Sequence, residues 1–224
     1  MNTLDITLIG ASGLVGNHLL MQLTQQRQVN VVKAVTRKKL DFIPPKTENI
    51  VINFDHMEEF TNEMKASVFI CCLGTTIKKA GSQEAFRKVD FDYVLHFAKI
   101  AEKVRAKKLM VVSAMGADAH SKVFYNRVKG EMEEAIQKLN IPQVEIFRPS
   151  LILGERSEAR PLEGLAQALT PVLNTVIMHG PLKKYRGIEA TDIAKAMVTA
   201  SLSYEIGHQV HESDVIQAMA DRSK

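Results

Sequence analysis

The chain has no tryptophan, two cysteines and only 6% aromatic residues. The cysteines, Cys71 and Cys72, are adjacent in an apolar run, and neighbours on a strand point to opposite faces. Neither a disulfide framework nor a metal site follows from them, and core packing accounts for at least one. No apolar run approaches the roughly 18 residues a membrane span needs, so no membrane association is expected. The opening residues, Met1 to Asp5, lead straight into a strand with no basic leader or small-residue cleavage site, which gives the expectation of a cytoplasmic protein. No basic run interleaves with aromatics, so nucleic acid is not an expected partner. The net charge of +4 is mild and reads as scattered surface Lys and Arg.

What remains is an ordinary globular composition, 46% apolar and 24% charged over 224 residues, enough for one large domain. Apolar runs at Leu4–Ile9, Val29–Val35, Ile50–Phe54, Val68–Leu73, Leu109–Val112 and Val144–Phe147 read as six strands. Helical spacing recurs over Leu14–Gln25, Phe86–Val104 and Phe124–Leu139. Continuous apolar strands separated by helices predict a parallel sheet covered on both faces, the doubly wound α/β class. After Pro149 the pattern changes: Leu162–Ala168 and Ile193–Leu202 look helical among loops with Pro161, Pro171, Gly180 and Pro181. One domain over 1–224 is expected, with 150–224 as a small C-terminal lobe on the substrate side.

Gly10-Ala11-Ser12-Gly13-Leu14-Val15-Gly16 follows the first strand and opens the first helix. In that context the glycines make a dinucleotide turn. Glycine reaches backbone angles closed to other residues and lets the chain approach a pyrophosphate, while the helix offers unpaired amides and a positive dipole end. Gly16 is expected inside the helix, where a missing side chain allows close packing. The second strand ends in Val35-Thr36-Arg37-Lys38-Lys39, where an NAD site usually places a carboxylate. A guanidinium pairs with a 2′-phosphate that a carboxylate would repel. Arg37, with Lys38 in support, therefore predicts NADPH; solvated strand-end charge is the competing account.

Tyr125 and Lys129 stand four residues apart at the start of a predicted helix, a spacing that puts phenol and ammonium on one face. A free tyrosine titrates near ~10, and a neighbouring ammonium brings the phenol toward working range. Ser113 ends the fifth strand, where open α/β sheets bind ligands, and is placed to hydrogen-bond a substrate carbonyl; satisfying local backbone groups is its alternative role.

With Leu8 to Gly13, Cys71-Cys-Leu-Gly-Thr-Thr76, Lys79 to Gly81, Val89-Asp-Phe-Asp-Tyr-Val94, Gly116-Ala-Asp118, Val128-Lys-Gly-Glu131 and Phe147-Arg-Pro149, these residues resemble an atypical short-chain dehydrogenase/reductase. More narrowly, the chain resembles the Tat-interacting protein family of NADPH-binding Rossmann proteins. The resemblance implies that Leu73, Gly74 and Thr75 line the ribose and adenine side, and that Asp55 meets the adenine edge. It implies that Arg148, Pro149 and Ser150 bring backbone near the nicotinamide. Ile188 to Ala194 would pack on the cofactor domain, with Asp192 as a structural cap. Two positions depart from the pattern: Ala114 stands where relatives often carry a second Ser or Thr, and Asp90 where many extended members carry Asn. Asp90 is expected to be a helix-side structural residue.

The expected activity is hydride transfer between NADPH and a small carbonyl substrate, with Tyr125 as acid/base, Lys129 holding ribose and Tyr125, and Ser113 steadying the oxygen. Arg156 and Arg160 are candidates for an anionic substrate, with solvated charge an equal account. Ala114 supports the rival reading, a redox-sensing or regulatory NADPH-binding protein acting through protein partners with little or no turnover. A nucleotide-sugar epimerase or dehydratase comes third, because the C-terminal lobe is short.

Overall fold

Residues 3–154 and 185–222 are described by a computed structural model. The elements run β1 (Leu4–Ile9), α1 (Leu14–Thr24), β2 (Val29–Thr36), β3 (Thr47–Val51), a 3-10 turn (Phe54–Phe60) and β4 (Val68–Cys71). Two short helices follow, α2 (Ile77–Ala80) and α3 (Gln83–Arg87), then a π-helical turn (Lys88–Asp92) leading into α4 (Tyr93–Lys103). Next come β5 (Lys108–Val112), α5 (Phe124–Gln137), β6 (Gln143–Arg148) and the short β7 (Ile152–Leu153). The last elements are β8 (Ile188–Glu189), α6 (Ala190–Leu202), β9 (Gly207–Glu212) and α7 (Ser213–Arg222).

Seven strands form one sheet in the order β3-β2-β1-β4-β5-β6-β9, and every neighbouring pair is parallel. The order reverses between β1 and β4, the switch point at which such sheets open a crevice at their carboxyl ends. The two-residue period of a strand sorts its side chains between two cores. Ile6, Leu8, Val32, Ile70 and Met110 pack under Leu19, Leu20 and Leu23 of α1 and Ile193 and Met197 of α6. Ile9, Val35, Phe69, Cys71 and Val111 pack under Val94, Phe97 and Ala101 of α4 and Met132 and Ile136 of α5. The parallel sheet with helices on both faces is the doubly wound Rossmann fold expected from the sequence.

Three local expectations need adjustment. β3 begins three residues earlier than the apolar run Ile50–Phe54. Its edge position leaves it half-exposed, and Phe54 instead starts the 3-10 turn that Asn53 caps by accepting from the Asp55 amide. The long helix expected over Phe86–Val104 is broken by the π turn. β9 and α7 were not foreseen at all: β9 lies at a sheet edge with Val210 exposed, so its sequence carries little apolar signal. The expected helix Leu162–Ala168 and the arginines at 156 and 160 lie outside the described residues.

Candidate functional site

The turn after β1 is built from glycines that no other residue could replace equally. Gly10 has φ +88°, and a Cβ there would lie 2.6 Å from the Cys72 carbonyl. A Cβ on Gly16 would lie 2.1 Å from the Gly10 carbonyl oxygen, so α1 can seat on the turn only with glycine there. Gly13 is the N-cap of α1 with no side-chain cap, and its amide donates to Gly10 O at 2.9 Å. Ala11, Val15 and Gly16 are buried, Leu14 is half-buried, and Ser12 and Gly13 are open to solvent at the helix start. Ser12 and Gly13 thus leave the N-terminus of α1 open to solvent, the end at which a helix carries unpaired amides.

Arg37 and Lys38 are exposed just beyond β2, with the Arg37 guanidinium 5.7 Å from the centre of the Phe54 ring. Asp55 is exposed but engaged: it accepts from the Tyr93 hydroxyl at 2.8 Å and pairs with Lys88 Nζ at 2.7 Å. The Lys88 bond, then the Tyr93 bond, holds its carboxyl below the usual range. Lys88 and Tyr93 were not foreseen, and only the neighbouring Val89-Asp-Phe-Asp-Tyr-Val94 pattern marked the segment.

At the end of β4, Leu73 and Thr75 are half-buried and Gly74 is exposed. The Thr75 amide donates to Asp90 Oδ2 at 2.9 Å. The other Asp90 oxygen, Oδ1, lies 2.8 Å from Lys129 Nζ. Both side chains are all but sealed from solvent, Lys129 at 3% and Asp90 at 1% exposure. Burial alone would push the Lys129 ammonium down; the Asp90 carboxylate outweighs it, so the group is held well above the usual lysine value, with Tyr125 and Cys71 contributing further. Asp90, expected to be structural, thus contacts a predicted catalytic lysine directly. Cys71 beneath is inert, its thiol pushed up by burial to about 12.

Tyr125 sits in the first turn of α5 with its ring 5.5 Å from that of Phe86. Gly130, one residue beyond Lys129, lets α5 touch the loop before it: a Cβ there would lie 2.1 Å from the Ala119 nitrogen. Ser113 follows β5, its amide donating to Phe147 O at 2.7 Å. Its hydroxyl is buried and finds no hydrogen-bond partner among the described residues. The buried backbone explanation for this serine therefore does not extend to its side chain.

Arg148 directs its side chain away from a ligand role. It grips Glu133 of α5 with Nε at 3.1 Å and Nη2 at 2.5 Å, and Glu212 of β9 with Nη1 at 3.1 Å. Pro149 O accepts from the Met115 amide at 3.0 Å. Ser150 donates to Arg186 O and accepts from Ser213 at 3.0 Å. Asp192 is not the cap of α6; it lies in the first turn, 3.0 Å from Lys195 Nζ.

A family model described as HIM1 matches residues 43–182, more than half of the chain. Protein HTATIP2 of Rattus norvegicus is 36% identical over 171 residues, covering 75% of this chain and 70% of that one. Protein fmp52, mitochondrial, of Emericella nidulans is 34% identical over 205 residues, 88% of this chain and 87% of that one. Among solved structures, WbmG of Bordetella bronchiseptica in complex with NAD gives a TM-score of 0.66 at 15% identity, covering 99% of this chain and 78% of that one. MoeE5 in complex with UDP-glucose and NAD gives 0.70 at 13% identity, covering 97% and 81%. These two share the fold. The mitochondrial names of the fungal relatives overturn the expected cytoplasmic location; that expectation rested on an absent basic leader, and such an absence fixes no compartment. No helix among the described residues is long and apolar enough to cross a membrane.

Proposed function

This chain belongs to the HIM1 family, together with HTATIP2 and the Fmp52 proteins, and from that membership we propose that it is an NADPH-dependent oxidoreductase. Its substrate in this reading is a small carbonyl compound. The observation that carries the proposal is the buried Ser113 hydroxyl, which has no hydrogen-bond partner among the described residues. Leaving such a group unpaired costs about 1–3 kcal/mol, and a substrate oxygen bound at the carboxyl edge of β5 would supply the missing bond.

The turn suits a pyrophosphate because Ser12 and Gly13 leave the N-terminus of α1 open to solvent, and a helix N-terminus favours an anion; Gly10 and Gly16 let the chain close tightly beneath it. In this reading Gly10 to Gly16 hold the phosphates, Arg37 and Lys38 the 2′-phosphate, and Asp55, Leu73, Gly74 and Thr75 the adenosine side. Backbone at Arg148, Pro149 and Ser150 borders the nicotinamide, and residues 150–224 form the substrate side of one domain. When bound, NADPH supplies a hydride to the carbonyl carbon. Tyr125 gives its phenolic proton to the carbonyl oxygen as that bond forms, and Ser113 donates a hydrogen bond to the same oxygen. The alcohol leaves, and the phenolate recovers a proton from solvent. Lys129 holds Tyr125 and the ribose in register.

The test is a fluorescence titration with NADPH and NADH, followed by a carbonyl panel read as NADPH consumption. Tighter NADPH binding and oxidation lost in Tyr125→Phe support the proposal. Ala114 contributes no second hydroxyl beside Ser113, which favours the rival reading of a regulatory NADPH-binding protein. Tight binding with no oxidation on any substrate would decide for that rival.

A further inference from the structure

A lysine brought beside a tyrosine is usually taken as a free cation that eases loss of the phenolic proton. Here the cation is not free. Lys129 and Asp90 are both sealed from water and 2.8 Å apart, and Coulomb attraction falls with distance, so each is the other's principal electrostatic partner. The second Asp90 oxygen is bound by the Thr75 amide at 2.9 Å. Asp90 therefore ties α5 to the loop after β4. The backbone that carries Asp90 is the π turn Lys88–Asp92. Such π turns recur at functional sites.

We infer that Asp90 is a positioning residue of this site, fixing Lys129 against the cofactor loop and presenting Tyr125 with a neutral ion pair instead of a free ammonium. The inference rests on the proposed function for the roles of Tyr125 and Lys129. Few other charges reach this point. Cys71 on β4 lies close to Lys129 but stays a thiol, since burial holds it up to about 12. Across the seam between α3 and α5, Arg87 and Glu131 pair with each other, and further along α5 Glu133 is taken by Arg148. On the far side of the π turn, Lys88 is engaged by Asp55. Arg87 and Lys88 are each matched by one carboxylate, and Arg148 by two, Glu133 and Glu212, so the Asp90 carboxylate is the group that offsets the Lys129 charge on the face Tyr125 shares.

The experiment is a pH titration of phenolate absorbance in the protein without added cofactor, with the Tyr125→Phe curve subtracted to remove Tyr93, Tyr185 and Tyr204. In Asp90→Asn the Tyr125 component is expected at a pH lower by about one unit or more, the size of a nearby uncompensated charge. Because that variant buries an unpaired ammonium and risks unfolding, the decisive comparison uses Asp90→Asn with Lys129→Met, which carries no unpaired charge. A neutral pair predicts that this double variant titrates with the wild type, within about a third of a unit. A wild-type midpoint lower than the double variant's by about a unit would overturn the inference, since it is the signature of a free cation. An unchanged midpoint in folded Asp90→Asn would overturn it as well. A purely structural Asp90 would move the melting temperature and leave these curves alone. The titration needs no cofactor, so failure of the wild type to bind NADPH would count against the proposed function while leaving this result to be read on its own.

Discussion

Ser113 and the three turn glycines make opposite demands on a single atom. At Ser113 an oxygen is present that finds no partner among the described residues, so Ser113→Ala is expected to leave the unfolding free energy unchanged or raise it, by up to the roughly 1–3 kcal/mol an unpaired buried group costs. Turnover in the same variant is expected to fall about 100-fold or more, as for loss of one oxyanion donor. Calorimetry beside steady-state kinetics checks both, and parallel losses of stability and rate would assign the hydroxyl to the fold. At the glycines a carbon is absent that the fold excludes. The added Cβ would stand 2.1 Å from backbone at Gly16, 2.6 Å at Gly10 and 3.2 Å at Gly13. Urea unfolding of the three Gly→Ala variants should follow that order, with Gly13→Ala the mildest. Gly10→Ala adds a left-handed backbone strain of about 1–2 kcal/mol to its clash. Equal losses at all three would mean that the turn yields more readily than these distances imply.

At the scale of elements, the sequence made the buried parallel strands plain and the edges faint. β4 is apolar on both faces, and β1, β5 and β6 are apolar over most of their length with Thr7, Lys108, Gln143 and Glu145 buried among them. β9 pairs only with β6 and reads Gly-His-Gln-Val-His-Glu, which neither composition nor alternation marks as a strand. What holds it is polar and non-local. Arg148 bridges Glu133 and Glu212, and His211 meets Glu145 at 2.9 Å while Glu145 also pairs with the buried Lys108 at 3.2 Å. The same limit applied to the site: Tyr125, Lys129 and the glycines announced themselves by spacing, but the Asp90–Lys129 contact joins residues 39 positions apart in sequence through a π turn that no local pattern encodes. Arg148→Met leaves Glu133 buried without its cation, and a loss of about 3–5 kcal/mol in urea unfolding is expected. A loss under about 1 kcal/mol would mean that the clamp is no stronger than a surface pair. The Glu145 cluster gives a pH signature. Burial raises the Glu145 carboxyl, but the His211 bond and Lys108 outweigh it and hold it below its ordinary 4.5. A depressed folded value means stability present above pH 4.5 and lost as pH falls through the folded value. Glu145→Gln should therefore be less stable than wild type at neutral pH and show a flatter decline in acid, measured as urea midpoints across that range.

Over the whole molecule, the parallel order brings the strand ends to one side, and the reversal between β1 and β4 opens that side just where the glycine turn and the Leu73–Thr75 loop meet. WbmG and MoeE5, which share the fold, are bound to NAD, so the NADPH preference proposed above has to come from residues outside what the fold itself supplies. In the proposed reading that preference falls to the end of β2, where the chain offers Arg37 against the Phe54 ring and no carboxylate follows directly. Asp55 is already matched by Lys88 and Tyr93, which would lessen its repulsion for a 2′-phosphate. A ligand that binds only the folded state at a hundred times its dissociation constant adds about 2.7 kcal/mol. For a chain of this size that corresponds to a rise of about 5–10 °C in melting temperature. NADPH should produce that rise at a concentration at which NADH, bound at least ten-fold more weakly (about 1.4 kcal/mol), produces a smaller one. Arg37→Ala should bring the NADPH shift down to the NADH value while leaving the NADH shift where it was, because only the 2′-phosphate is deprived of a partner. If the substitution lowers both shifts alike, Arg37 supports the strand end or the adenine instead of the phosphate, and the preference for NADPH has to be sought elsewhere in the crevice.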